Sequence, residues 1–236
     1  MQQKHVIESI NSIFNKYRQI VKQTGENYNV FKVLNVESNE VRLHSAFLAD
    51  LLNPKGSHGF DSLFLRLFIT ELKIDDLDYQ SVNVKVEQYI GKVSDISGGR
   101  IDIDISDKNG YHIIIENKIY ARDQENQLIR YFNYGKNRCR NFKLFYLTLD
   151  GDMPDEETSC SDSKNGIKLE EGVDYFLLSY RNDIKNWLEV CREKATNKPL
   201  LREGLSHYIN LIKYMTNQSL NTNMNEEVKK RITKAR

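Results

Sequence analysis

Apolar positions recur along this chain with two different periods, and the period changes near residue 81. Over residues 3–23, Val6, Ile10, Ile13, Tyr17 and Ile20 return every three or four positions with Phe14 and Val21 alongside, which predicts an amphipathic helix. Residues 24–38 mix Gly25, Asn27 and Asn29 with Phe31, Val33 and Val36 and read as a structured connection. A second helix is expected from Ser38, a good capping residue, through Val41, Ser45, Leu48 and Leu52 to a stop at Pro54. Residues 54–59 carry turn chemistry, and residues 60–72 are apolar on much of a third helical surface.

From Ser81 the spacing is that of strands. Val82, Val84 and Val86 alternate with polar residues, as do Ile101, Ile103 and Ile105. Residues 111–119 are β-branched and apolar, as a central strand would be. Helical character returns over 123–135, followed by a strand at 142–149 and another at 173–179. Between those last two, residues 150–171 hold eight acids and two lysines and are expected to form an exposed loop. Helices follow at about 181–195 and 199–217, and the chain turns polar and then basic from Asn221. Such an order predicts an α/β protein with a small mixed β-sheet flanked by helices. Three parts are expected to pack as one compact domain: a helical part at 1–80, a sheet core at 81–180, and helices with a basic tail at 181–236.

Composition narrows the class without naming a function. A chain of 236 residues, 39% hydrophobic and 28% charged, can bury a full core and has the make-up of a globular protein. Lys and Arg number 34 against 33 Asp and Glu, a net charge of +1, so any electrostatic partner must meet a local patch. Residues 118–143 supply one: Lys118, Arg122, Arg130, Lys136, Arg138, Arg140 and Lys143 face only Asp123 and Glu125. Cys139, Cys160 and Cys191 are too widely spaced for a disulfide framework or a zinc site. The opening residues lack a signal peptide's apolar run, and no stretch nears the ~18 apolar residues of a membrane span. The expectation is a cytoplasmic protein with no membrane partner.

The chemistry concentrates in residues 98–118. Lys108-Asn109-Gly110 suits a three-residue hairpin loop with Gly110 left-handed. Asp107 then faces Tyr111, Asp102 faces Glu116, and Arg100 faces Lys118. Strand residues two apart share a face, so Arg100, Asp102 and Asp104 line one face with Glu116 and Lys118, and Ile101, Ile103 and Ile105 line the other. A two-residue Asn-Gly turn would instead send Glu116 to the face opposite Asp102. With the odd loop, two carboxylates held across a hairpin make a hard oxygen site suited to Mg²⁺ or Mn²⁺. An ammonium two residues from Glu116 can orient a water or stabilise charge on a phosphate. These are the parts of metal-assisted phosphodiester hydrolysis. The plainer alternative, a solvated face of ion pairs, is weakened because Glu116 and Lys118 follow Ile113-Ile114-Ile115, a run that reads as buried, where charge is costly unless paired or used.

Together with Asp123-Gln-Glu-Asn-Gln127-Leu-Ile-Arg-Tyr131, this pattern resembles the PD-(D/E)XK nuclease superfamily, closest to a bacterial branch with Gln-x-x-x-Tyr on the helix after the lysine. Residues 40–54, with Gly56 and His58, resemble the amino-terminal helix of uncharacterised members; the likeness spans roughly residues 37–149. The resemblance implies a restriction-endonuclease-like core. It implies Asp102 and Glu116 as metal ligands joined by the Asn117 carbonyl, Lys118 to position water or phosphate, and Gln127 and Tyr131 to contact the scissile region or brace Lys118. Isoleucine precedes Asp102 where the family name has proline, and Pro154-Asp155 lies outside the pattern.

Glu40 and His44 share a helix face as accessory candidates, with Arg122 and Arg130 as phosphate contacts. Glu87 is read as a solvated strand end ahead of an extra metal-site acid, Asp104 as a support behind the ligand Asp102 or the partner of a basic residue, and the tail's Lys229, Lys230, Arg231, Lys234 and Arg236 as a solvated face ahead of a nucleic-acid contact. Tyr131 and Tyr134 are candidate base-stacking residues. The leading reading is a Mg²⁺-dependent nuclease, with Mn²⁺ as substitute, favouring DNA and leaving a 5′-phosphate, by analogy in bacterial antiviral defence or mobile-element biology. The alternatives are a non-catalytic nucleic-acid-binding or assembly protein on the same fold, and an RNA-cutting toxin. A homodimer, a partner protein, or a further portion supplying specificity stays open.

Overall fold

Period-two and period-three-to-four segments separate in space as they do in sequence: the former make one sheet, the latter cover its two faces. The computed structural model describes residues 2–234. Helix α1 (Gln2–Thr24), a short α2 (Val30–Val33), α3 (Ala46–Leu52) and α4 (Leu63–Glu71) precede the sheet. A π-helical turn, Glu40–Ser45, leads into α3. Strands β1 (Asn83–Tyr89), β2 (Arg100–Ser106) and β3 (Tyr111–Lys118) follow, then α5 (Gln127–Arg138) and β4 (Asn141–Thr148). A small ribbon of β5 (Ser161–Asp162) and β6 (Ile167–Lys168) precedes β7 (Phe176–Ser179). The chain ends in α6 (Lys185–Lys194), α7 (Pro199–Met215) and α8 (Leu220–Thr233).

The main sheet has the order β1-β2-β3-β4-β7. β1, β2 and β3 are antiparallel neighbours, whereas β4 and β7 run parallel to β3. This is the mixed sheet that the α/β reading expects. β3 lies in its centre, which explains the unbroken isoleucine run: both faces are covered, so alternation is not required. One face carries the main core, where Ile103, Ile113 and Ile115 meet Leu48, Phe64, Leu188 and Ile209 from α3, α4, α6 and α7. The other carries a smaller core beneath α5, with Ile114, Leu144, Leu128 and Tyr131.

The hairpin register is the odd one. Ile103 pairs with Ile115, and Ser106 with His112. The Asp107 N–H donates to the Tyr111 carbonyl at 3.1 Å, closing a loop in which Gly110 has φ 81°.

Several expectations need correction. Asn39, not Ser38, caps the second helical segment, its side-chain oxygen accepting the Arg42 N–H at 2.8 Å. α4 starts at Leu63 because Asp61 is left-handed (φ 46°). α5 starts at Gln127 because Asn126 is left-handed (φ 54°). Residues 150–171 are not an open loop: a π turn at Glu156–Cys160 and the β5–β6 ribbon bury Ser159, Cys160, Asp162 and Leu169. The Asp162 carboxylate accepts hydrogen bonds from the Lys164 and Asn165 N–H groups and from the Asn126 side chain. The polar tail forms α8 and packs along α1, with a Lys16–Glu227 ion pair at 3.6 Å. Its Arg236 lies outside the described residues. No helix among them is long and apolar enough to cross a membrane.

Candidate active site

The β2–β3 ladder stops where the charges begin. Beyond Ile103–Ile115 the Asp102 carboxylate replaces a main-chain acceptor: its Oδ2 takes the Asn117 N–H at 2.7 Å. Two features accompany this break. Glu87, opposite Asp102, is absent from the β1–β2 register and has φ 54°. Ile101 packs in the smaller core beneath α5, not with Ile103 and Ile105 as strict alternation had it. A left-handed residue within a strand twists the strand locally, and here the twist falls beside the acidic residue.

Glu116 and Lys118 end β3 and are both buried. Lys118 Nζ donates to Glu116 Oε1 at 2.9 Å, while Glu116 Oε2 is buried with no hydrogen-bond partner among the described residues. Burial, then the Asp102 charge, pushes the Glu116 carboxyl well above the usual range; the Lys118 pairing offsets only part. Asp102 is pushed up to about 6, chiefly by burial, against the opposing pull of the Asn117 N–H, Glu116 and Lys118. Burial alone would lower the Lys118 ammonium, but the Glu116 and Asp102 charges outweigh it and hold its pKa above the usual value. Two carboxylates in one poorly hydrated place, one of them with an orphaned oxygen, are short of positive charge. A hard divalent cation fits that deficit.

Asn117 is clamped from the opposite face. Its side chain donates to Ser45 Oγ at 3.0 Å and accepts the Tyr180 hydroxyl at 2.9 Å, all three being buried. Glu40 Oε1, from the π-helical turn, accepts the N–H groups of Ile119, Tyr120 and Ala121 at 2.7, 2.8 and 2.9 Å. It thereby ties down the turn that follows Lys118.

On the α5 side, Gln127 Nε2 donates to the Tyr131 hydroxyl at 3.2 Å, and that hydroxyl donates to the Arg100 carbonyl. Gln127 and Tyr131 therefore hold the start of β2; neither makes a hydrogen bond to Lys118 among the described residues.

Asp102, Glu116, Asn117, Lys118, Gln127, Tyr131, Glu40 and Arg122 all line one cavity of about 570 Å³. Two accessory candidates are not brought there. His44 is fully buried, with Nδ1 against the Tyr208 hydroxyl (2.8 Å) and Nε2 against the Glu37 carbonyl (2.9 Å). Arg130 is buried and spends its guanidinium on the Gly98 and Glu125 carbonyls. Asp104 pairs with a basic residue as expected, His112, at 2.8 Å. Tyr131 is buried and offers no base-stacking face, whereas Tyr134 is half-buried and packs edge-on against His112.

Sequence reasoning missed part of the wall. Tyr89 at the end of β1 and Lys92 and Val93 of the β1–β2 connection line the cavity, beside Glu87, the acid that the sequence offered as a lesser candidate. Gly98 and Gly99 were the available signal: both have positive φ, and a Cβ on Gly98 would stand 2.0 Å from the Lys92 carbonyl oxygen. The glycines let this connection fold back beside the carboxylates. Among the described residues no group of three or more His, Cys, Asp and Glu side chains is placed to hold a metal. The groups available are the Asp102 and Glu116 carboxylates and the main-chain carbonyl between Glu116 and Lys118, with Glu87 on the same cavity.

A family model described as the PD-(D/E)XK nuclease superfamily matches residues 28–210, from the connection after α1 into α7. No curated protein and no solved structure matches the chain.

Proposed function

Since the chain belongs to the PD-(D/E)XK nuclease superfamily, we propose that it is a divalent-metal-dependent nuclease that hydrolyses phosphodiester bonds, with DNA favoured over RNA. The observation that carries this reading is the Asp102–Glu116–Lys118 cluster: two crowded carboxylates, a buried orphan oxygen and an adjoining ammonium on one cavity. Asp102, Glu116 and the Asn117 carbonyl are the groups that would hold Mg²⁺, or Mn²⁺ in its place. When bound, such an ion neutralises phosphate charge and makes water a better nucleophile at neutral pH.

The chain's own residues do the rest. Lys118 keeps its proton and so acts as a positioned cation, orienting the attacking water or a non-bridging phosphate oxygen. Glu40 fixes the turn after Lys118, and Ser45 with Tyr180 fixes Asn117 between the two charged residues. Arg122, at the cavity wall, serves the flanking phosphates. Water attacks phosphorus in line and gives its proton to solvent, the P–O3′ bond breaks, solvent protonates the leaving O3′ to a 3′-hydroxyl, and a 5′-phosphate remains on the other fragment. A role in bacterial antiviral defence or mobile-element biology is proposed by family analogy.

The test is incubation of the protein with supercoiled plasmid and with single-stranded RNA, in Mg²⁺, Mn²⁺ or EDTA. Cleavage of DNA that stops in EDTA supports the reading. Metal-dependent cleavage of RNA alone replaces DNA by RNA. Salt-sensitive binding without cleavage of either polymer favours a binding protein on the same fold.

A further inference from the structure

The turn held by Glu40 has two sides. One faces the catalytic cavity, which Lys118, Ala121 and Arg122 line. Tyr120, between them, lines a second cavity of about 350 Å³, shared with the connection after α1, the end of α7 and the start of α8.

The lining of this second cavity is unusual. Its polar wall is largely side-chain amide, and the half-buried Asn210 and the exposed Asn217 and Asn225 leave their amides open to solvent or a ligand. Two tyrosines on it stay open to solvent: Tyr120 is 61% exposed and Tyr214 51%. The Lys32 ammonium lies 3.6 Å from the centre of the Tyr214 ring and backs it as a cation. A phosphate subsite needs converging cations, and here one lysine is balanced by Glu26. Amides present donors and acceptors side by side, which matches the edge of a nucleobase. Tyr120 and the face of Tyr214 that Lys32 leaves uncovered are open to stack a base regardless of sequence.

We propose that this cavity is a nucleobase subsite, which takes an unpaired base of the strand whose backbone lies against Lys118; the proposal rests on the nuclease reading above. The spacing agrees. Lys118 and Tyr120 are two residues apart, at most ~7 Å along the main chain, so the two cavities lie on either side of one short turn. A base inside an intact duplex cannot enter a pocket while paired, so the substrate is single-stranded, frayed or flipped near the cut.

The experiment is fluorescence anisotropy with the full chain in EDTA, using a labelled oligothymidylate of about 12 nucleotides and an abasic strand of the same length. The wild type should prefer the base-bearing strand. Tyr214→Ala should lose that preference by about tenfold, the scale of one stacked base, while Tyr214→Phe keeps it and the abasic strand binds all three alike. Tyr120→Ala carries the same test should Tyr214→Ala melt early. Equal binding of both strands by the wild type, binding of neither, or an unaltered preference in both alanine variants overturns the subsite. A parallel cleavage assay in Mg²⁺ separates the two claims. Cleavage with an unaltered preference leaves the nuclease and removes the subsite. A preference lost in Tyr214→Ala without any cleavage leaves the subsite and removes the nuclease.

Discussion

Asp102 shows how much a single position is asked to do. Its carboxylate serves as a main-chain acceptor for Asn117 and stands beside Glu116, in surroundings that push its pKa up to about 6 from 3.8. The sign follows from linkage. A raised folded-state pKa means that the charged form is disfavoured by folding, so the penalty is absent below about pH 3.8 and complete above about pH 6. Asp102→Asn, which keeps an oxygen for the Asn117 N–H, should therefore stabilise the metal-free protein at pH 8 by on the order of 1–3 kcal/mol and leave it unaltered at pH 3.5, roughly the unfolded-state limit. Adding Mg²⁺ should raise the melting temperature of the wild type and not of the variant. Thermal melts with and without EDTA read both effects. His112 has the opposite sign. Burial pulls its pKa down, but the hydrogen bond and charge of Asp104, with Cys139, push it up to about 10. The stability this pair supplies is complete below about pH 6.5 and fades as pH rises through about 10. The destabilisation caused by His112→Gln should shrink over that interval in urea titrations. At this scale the carboxylates and lysine were legible because a three-residue loop brings them together locally. His44 was not, because its partner Tyr208 lies 164 residues away and no local pattern marks it.

Among the elements, the π-helical turn before α3 and the close seating of α5 govern the site. Glu40 leaves the π turn to gather three N–H groups after β3, a helix-N-terminus kind of capture made by a side chain. Glu40→Ala strands those donors. It should speed amide exchange at residues 119–121 and cut cleavage at least tenfold through a displaced Lys118, while Glu40→Gln, which retains one acceptor oxygen, should recover much of the protection. Exchange measured by mass spectrometry tests the structural half of this prediction without any substrate. α5 approaches β4 closely enough that a Cβ on Gly135 would stand 2.4 Å from the Phe142 ring. Gly135→Ala should accordingly cost about 1–3 kcal/mol by overpacking and shift Gln127 and Tyr131, which ride on the same helix. The strands were readable from alternation, and β3 from its continuous apolar run. The start of α5 and the buried ribbon within 150–171 were not, since both depend on Asn126 and Asp162 bonding each other across 36 residues. Composition alone made that acidic stretch look solvated.

For the molecule as a whole, the near-zero net charge means that binding of a polyanion must come from local cations, and the fold sorts the basic stretch into unequal parts. Arg122 lines the cavity. Arg130 is consumed by carbonyls, and Lys143 lies over the Phe176 ring at 4.4 Å. Lys136 and Arg138 are exposed at the far end of α5, about 14 and 17 Å along its axis from Gln127, and Arg140 is exposed just beyond it. Arg122→Ala should thus lower the slope of log affinity against log salt by about one, and Arg138→Ala should leave it alone; filter binding across a salt series decides. The sequence singled out Arg122 and Arg130 alike, and the loss of Arg130 to carbonyls was invisible there because Gly98, one of its acceptors, lies 32 residues away. The superfamily assignment, by contrast, was legible in three short motifs because Asp102, Glu116, Lys118, Gln127 and Tyr131 sit on consecutive strands and the helix after them, and the family match then extends well beyond those motifs, over residues 28–210.

A hydrolytic site made by Asp102, Glu116 and Lys118 is tested by comparing wild type with Lys118→Ala on one end-labelled DNA substrate in Mg²⁺, with thermal melts to show that both are folded. Metal-dependent cleavage by the wild type and a loss of ~10³-fold or more in the variant, the scale of removing one charge-stabilising group, are expected. Equal cleavage by two folded proteins would contradict such a site.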